Sequence, residues 1–189
     1  MSKKWGMVID VRKCVACHAC SAACRIENHV TKEGNRSWVT EEEVGKYPEV
    51  HTLRIPQLCN HCDTTPCVSA CPVEATAKNE DGIVYVDREK CIGCFACVSA
   101  CPYAARIKEI EAKKVDKCDF CAHRLKNGLL PACITTCPTQ ARFFGDLNDS
   151  ASMVSKLLKE NEYEALLPEK NLGPNVYYIG VDEYTKFKK

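Results

Sequence analysis

Residues 90 to 102 read Lys-Cys-Ile-Gly-Cys-Phe-Ala-Cys-Val-Ser-Ala-Cys-Pro. Cys91, Cys94, Cys97 and Cys101 are thus spaced C-x2-C-x2-C-x3-C, with a proline after the last. Outward from this run the grouping recurs. Cys14, Cys17, Cys20 and Cys24 repeat the spacing, and Cys59, Cys62, Cys67 and Cys71 follow C-x2-C-x4-C-x3-C ahead of Pro72. Cys118, Cys121, Cys133 and Cys137 follow C-x2-C-x11-C-x3-C ahead of Pro138, and all 16 cysteines of the 189-residue chain are then accounted for. Cys-Pro-Val-Glu-Ala at 71 to 75, Cys-Pro-Tyr-Ala-Ala at 101 to 105 and Cys-Pro-Thr-Gln-Ala at 137 to 141 form a recurring tail. Four groups of four are the internal repeat that organises the chain.

Three thiolates at i, i+3 and i+6 on a tight loop can reach three iron corners of a cubane 4Fe-4S cluster, while the loop amides point toward its sulfides. The fourth cysteine lies a helical turn further on, and the following proline biases it toward an extended conformation, so that it serves a neighbouring cluster. This run with its exchanged fourth ligand is the pattern of two-cluster bacterial ferredoxins. Disulfides fit poorly, because such close spacings make weak loop staples and no secretory signal is seen. Zinc sites use separated C-x2-C knuckles, and three cysteines within seven residues would crowd one small ion, although a zinc scaffold remains an alternative. The expectation is four 4Fe-4S clusters. Each oxidised cubane with four thiolates carries a net −2, so the four would move the formal charge from +1 to about −7.

Composition narrows the function classes. The net charge of +1 and pI near 7.4 lack the basic footprint of a nucleic-acid binder. No run approaches 18 apolar residues, so no transmembrane span is expected. No apolar leader or twin-arginine pair is seen near Met1, so work outside the cytoplasm would require carriage by a partner. Large apolar side chains (Ile, Leu, Val, Met, Phe, Trp, Tyr) make up about 28% of the residues, a thin supply for a chain with long loops. No Ser-His-Asp set, phosphate loop or carboxylate pair stands in the context that substrate chemistry needs, so no catalytic residue is expected.

The fold class expected is α+β, with short strands, short helices and long cluster-binding loops. Residues 5 to 11 read as a strand and 20 to 28 as a short helix. Residues 75 to 78 and 83 to 86 flank Asn79-Glu80-Asp81-Gly82, a hairpin signal. Asp149 or Ser150 can cap a helix running to about Glu162, and 175 to 181 read as a terminal strand. Glu41, Glu42 and Glu43, with Lys186, Lys188 and Lys189, read as solvated surface. Residues 106 to 126 carry seven Lys or Arg against four acids, either a solvent-facing connection or a neighbourhood that raises a cluster's potential. His18, His61 and His123 lie beside ligands and read as supporting or surface groups, since each cluster already has four thiolates.

Across residues 5 to about 147 the sequence resembles the four-cluster iron–sulfur electron-transfer subunits of the DMSO-reductase type of molybdopterin oxidoreductase. That family includes polysulfide, thiosulfate, arsenate and dimethyl sulfoxide reductases, and the resemblance is greatest to the polysulfide and thiosulfate branch. It is carried by Cys-Val-Ala-Cys-His-Ala-Cys at 14 to 20, Leu-Cys-Asn-His-Cys at 58 to 62, Pro-Cys-Val at 66 to 68 and Lys-Cys-Ile-Gly-Cys at 90 to 94. Lys-Cys-Asp-Phe-Cys-Ala-His-Arg-Leu at 117 to 125 and Pro-Ala-Cys at 131 to 133 complete it.

The resemblance implies four ligand sets: Cys14, Cys17, Cys20 and Cys137; Cys24, Cys118, Cys121 and Cys133; Cys59, Cys62, Cys67 and Cys101; and Cys71, Cys91, Cys94 and Cys97. It also implies two interleaved ferredoxin-like modules, 1–50 with 106–147 and 51–105, followed by a helix and strand extension over 148–189. Cys24 precedes Arg25 where a proline would be expected, so its reach rests on the resemblance alone. Some nitrate-reductase relatives replace one ligand and hold a three-iron centre, but here all sixteen positions are cysteine. The implied role is electron relay between a membrane quinone-reactive subunit and a molybdopterin catalytic subunit, on the outer face of the membrane after co-export. A free-standing soluble polyferredoxin is the alternative.

Overall fold

The structure is a computed structural model that describes residues 2–182. The chain enters as strand β1 (Trp5–Asp10), passes the first cysteine loop and forms helix α1 (Ala19–Glu27). Two ten-residue strands, β2 (Ser37–Lys46) and β3 (Glu49–Leu58), pair antiparallel from Ser37↔Leu58 to Lys46↔Glu49. Then come α2 (Pro66–Ser69), the hairpin β4 (Thr76–Lys78) and β5 (Val84–Val86), α3 (Ala96–Ser99), and a second small hairpin, β6 (Ile107–Glu109) and β7 (Lys114–Asp116). The chain closes with α4 (Ala122–Lys126), α5 (Ala132–Thr135), β8 (Arg142–Asp146), α6 (Met153–Glu160), β9 (Tyr163–Glu164) and β10 (Val176–Ile179). Short helices and short strands make this an α+β protein.

The cysteine spacing explains the helix lengths. α2, α3 and α5 are single turns that contain Cys67, Cys97 and Cys133, and each ends just before the cysteine that carries the following proline. The x3 spacer is therefore one helical turn, stopped by a residue with no amide hydrogen. After Cys24 stands Arg25, not proline, and α1 accordingly continues for nine residues to Glu27.

Four strands form one sheet in the order β8-β1-β10-β9, with β1 parallel to β10 and antiparallel to β8. Both faces of β1 are covered. Val8 meets Ile179 and Val154 of α6 on one face, while Met7 and Ile9 point with Val176, Tyr178 and Phe144 toward the cysteine loops. β1 thus runs between the layer that anchors it and the layer that carries the thiols, and Tyr178 closes the second layer by donating its hydroxyl to the Pro56 carbonyl at 3.0 Å.

Several expectations change. The helix cap is Ser152, not Asp149 or Ser150: Ser152 Oγ accepts the Ser155 N–H at 3.3 Å, while Asp149 Oδ1 accepts from Ala151 in the preceding turn. Within residues 148–182 the expected helix and strand are present as α6 and β10, and β10 inserts between β1 and β9 with Val176 and Tyr178 buried. The expected boundary between residues 50 and 51 falls inside β3, whose ladder with β2 makes a break there impossible without opening a strand pair. Residues 106 to 126 are not merely a solvent-facing connection, since they hold the β6–β7 hairpin and bury Arg106 and Lys117. Glu41, Glu42 and Glu43 are exposed on β2, and Lys186, Lys188 and Lys189 lie outside the described residues. Among the described residues no helix is long and apolar enough to cross a membrane.

Ser152→Ala removes the cap of the helix that covers β1. It should lower stability by about 1 kcal/mol, read as a shifted urea midpoint with unchanged slope and unchanged iron content.

Candidate metal centres

The first C-x2-C of each group places the residue before its second cysteine in the left-handed region: Ala16 at φ 52°, His61 at 45°, Gly93 at 68° and Phe120 at 55°. His18, Phe95 and Cys121, which cap α1, α3 and α4, share that conformation, as do Glu74, Ala104 and Gln140 in the three tails. Among the described residues, nine of the thirteen non-glycine positions with positive φ lie in these loops and tails. Each costs roughly 1 kcal/mol or more for an L-residue. What the conformation supplies is a nest, in which successive amide hydrogens point at one anionic centre.

The tails repeat one turn. The amides of Ala75 and Ala141 donate to Cys71 Sγ and Cys137 Sγ at 3.2 and 3.3 Å, and the Ala105 amide does the same for Cys101. Burial works to raise the Cys71 and Cys137 thiols, but these and neighbouring amide donors outweigh it and draw both below the ordinary cysteine value. Elsewhere burial wins. Burial and facing cysteines push Cys24 and Cys62 up to about 12, and raise Cys118 and Cys133. Thiolates gathered this closely need a cationic centre among them.

The structure gathers the cysteines from distant parts of the chain. Cys14, Cys17, Cys20 and Cys137 wall one cavity, Cys24, Cys118, Cys121 and Cys133 a second, and Cys71, Cys91, Cys94 and Cys97 a third. The remaining four are neighbours, with Cys59, Cys67 and Cys101 surrounding Cys62 closely enough to raise its pKa. Cys24 reaches the second cavity from within α1 without a proline after it. Met7, Leu58 and Phe120 line the second cavity beside Asn28, Arg36 and Asp119, while the third is mostly apolar, with Val73, Ile92, Phe95 and Val115. Cys17 and Cys94 are exposed.

Two observations test what such sites fit. A tetrahedral zinc ion holds its thiolates roughly 3.8 Å apart, yet among the described residues no three Cys, His, Asp or Glu groups converge tightly enough for a single ion. The thiols of three sets line cavities, four to each, a donor set that fits an iron–sulfur cage. The second observation is charge. The buried acids Asp10, Asp116 and Glu109 pair with Arg12, Arg36 and Arg88 at 2.8, 2.7 and 2.7 Å. The buried bases Arg106, Lys117 and Arg142 meet no carboxylate among the described residues. Arg142 donates through Nη2 to Ser37 Oγ at 3.1 Å and Arg106 through Nη1 to Thr76 Oγ1 at 3.2 Å, while Arg142 Nη1 and Arg106 Nη2 have no partner. Lys117 Nζ donates to the carbonyls of Val84 and Cys118. Uncompensated buried charge is costly, so these cations fit an anionic cluster beside them.

The histidines support the loops. His61 is wholly buried, its Nδ1 accepts the Val84 N–H at 3.0 Å, and its ring stacks on Phe120 with centroids 3.7 Å apart. Burial, with Lys117, Lys78 and Arg106 nearby, holds its pKa well below the ordinary value, so the ring is neutral. His18 caps α1 beside the first cavity, and His123 Nε2 lies 2.8 Å from Glu27 Oε1 at the surface. Sequence reading did not find Asn28, whose Nδ2 donates to both Cys24 Sγ and Cys121 Sγ at 3.6 Å and whose Oδ1 is held by Arg36. Nor did it find Arg142, although Cys-Pro-x-x-Ala-Arg occurs at both 101 to 106 and 137 to 142.

Residues 50–147 match the family model of a 4Fe-4S dicluster domain. The chain is 44% identical over 184 residues to the B subunit of tetrathionate reductase from Salmonella typhimurium, covering 95% of this chain and 74% of that protein. It is 44% identical over 185 residues to the B component of polysulfide reductase from Wolinella succinogenes, covering 95% of each, and 36% identical over 222 residues to the arsenate respiratory reductase iron–sulfur subunit of Shewanella sp., covering 92% and 95%.

A Cβ on Gly93 would lie 2.3 Å from the Lys113 carbonyl oxygen, in a backbone conformation that already favours glycine. Gly93→Ala should therefore open the loop of Cys91, Cys94 and Cys97. Iron and sulfide analysis of the anaerobically purified protein should show the iron of that site lost and the rest kept.

Proposed function

This chain belongs to the iron–sulfur subunits of tetrathionate, polysulfide and arsenate reductases, with 4Fe-4S chemistry, and from that premise we propose that it relays electrons through four 4Fe-4S clusters between two larger partners. The observation that supports the reading is that three cavities are each lined by four cysteines and that the remaining four, Cys59, Cys62, Cys67 and Cys101, lie near one another. Cys14, Cys17, Cys20 and Cys137 hold the first cluster, and Cys24, Cys118, Cys121 and Cys133 the second. Cys59, Cys62, Cys67 and Cys101 hold the third, and Cys71, Cys91, Cys94 and Cys97 the fourth. Each cluster supplies a one-electron couple whose potential follows charge, hydrogen bonds to sulfur and exposure.

The chain's own residues order the sites. The loop of the second site touches that of the third through the Phe120 and His61 rings, which leaves the first and fourth sites at the ends. Those two carry the exposed Cys17 and Cys94, each beside an exposed apolar residue, Val15 or Ile92. With clusters bound, these two exposed ends are where one-electron partners would reach the chain. Burial of Cys24, Cys118, Cys121, Cys133 and Cys59, with the amide nests, keeps water from the inner pair and holds the thiols in place.

The partner at one end is a molybdopterin catalytic subunit, and at the other a membrane subunit that reacts with quinone. The assembly works on the outer face of the membrane, this chain being exported with the catalytic subunit. Relatives aligned over nearly the whole chain are reductase subunits, which favours a subunit over a diffusing carrier.

Gentle anaerobic purification from the native source tests this. The chain should co-purify with a molybdenum protein and show four one-electron signals in an EPR-monitored titration. A stable monomer with full iron and no partner would make it a carrier, and an iron-free chain would end the reading altogether.

A further inference from the structure

The three unpaired buried bases do not fall at random. Arg142 lines the first cavity, and its Nη2 donates to Ser37 Oγ, a residue that lines the second, so its guanidinium lies between the two. Arg106 Nη1 donates to Thr76 Oγ1 at 3.2 Å, a residue that lines the cavity of the fourth set, and Cys67 and Cys59 of the third set act electrostatically on its guanidinium. Lys117 sits at the middle junction. Its ammonium is bonded to the Cys118 carbonyl in the loop of the second set, and it acts electrostatically on His61 in the loop of the third. Arg106 and Arg142 also hold equivalent positions, each five residues after the cysteine of its Cys-Pro tail.

We infer that Arg142, Lys117 and Arg106 are fixed counter-charges, one at each junction between successive iron–sulfur sites, that raise the potentials of the two sites they separate. The inference rests on the four-cluster reading above and extends it to these three side chains.

The physics is direct. Each site carries net negative charge that grows by one on reduction. In a poorly screened interior, a cation between two such sites favours the reduced form of both and weakens the repulsion by which one reduced site opposes reduction of the next. An electron that leaves one site enters its neighbour, so the charge across a junction is conserved and the fixed cation serves either distribution. The acids supply the contrast. Asp10, Glu109 and Asp116 are neutralised by arginines of their own, so the positive charge at the junctions is free to act on the thiol cages.

Arg142→Gln, Lys117→Gln and Arg106→Gln in the full chain, purified anaerobically, test the inference by iron content and EPR-monitored redox titration. Arg142→Gln should make reduction of two clusters at least tenfold less favourable, about 59 mV each, and Arg106→Gln should do so for the other two. Lys117→Gln should lower one cluster from each pair, and Arg142→Lys and Arg106→Lys should stay near the parent values. Fully loaded glutamine variants with unmoved potentials, or with all four moved alike, would overturn the inference while leaving the four-cluster reading intact. If a glutamine variant loses iron, its charge-conserving counterpart, lysine at 142 and 106 and Lys117→Arg at 117, decides: retained clusters at parent potentials support the charge, and loss of clusters or lowered potentials there overturns it. A parent protein without four clusters would instead defeat the reading on which the inference rests.

Discussion

The gathering of thiols from opposite ends of the sequence around shared cavities is the constraint on which this structure depends. Cys137 stands with Cys14, and Cys133 with Cys24, so the last cysteine group closes the sites that the first one opens. The strand pairs alone are short, with three residues to a strand in β4, β5, β6 and β7. Against them stand costs that ordinary packing does not offset: left-handed backbone at non-glycine positions, thiols raised by burial and by one another, and three buried cations without carboxylates. An anionic group with a cationic iron core relieves all three together. In such a protein, binding free energy is folding free energy.

The functional arrangement follows from the same economy of parts. The turn that brings the fourth thiol of each Cys-Pro group into place also points the Ala75, Ala105 or Ala141 amide at its sulfur, and in two cases it places an arginine at the next position. Thus one six-residue segment brings together a thiol, an amide donor to its sulfur and, in two cases, a buried arginine. The contact between His61 and Phe120 then brings the two halves of the chain of sites together through rings that are neutral and buried.

Much of this was legible because it is local. C-x3-C followed by proline encodes a single helical turn, and α2, α3 and α5 are such turns. The Asp-Gly at 81 and 82 marks the β4–β5 hairpin. What escaped was nonlocal or masked. The β2–β3 ladder has Glu41, Glu42 and Glu43 in succession, which hides the alternation of a strand. The insertion of β10 beside β1 is a parallel pairing between the two ends of the chain, and no local pattern announces it. Arg106 and Lys117 looked like members of a charged surface run, because charge counts along a sequence do not report burial.

The most direct test is far-UV circular dichroism of the chain before and after anaerobic removal of iron by a chelator. If ligation holds the fold, most of the helix and strand signal collapses and returns only when iron and sulfide are restored. An iron-free chain that keeps the spectrum of the loaded protein, and unfolds cooperatively at the same denaturant midpoint, would contradict it.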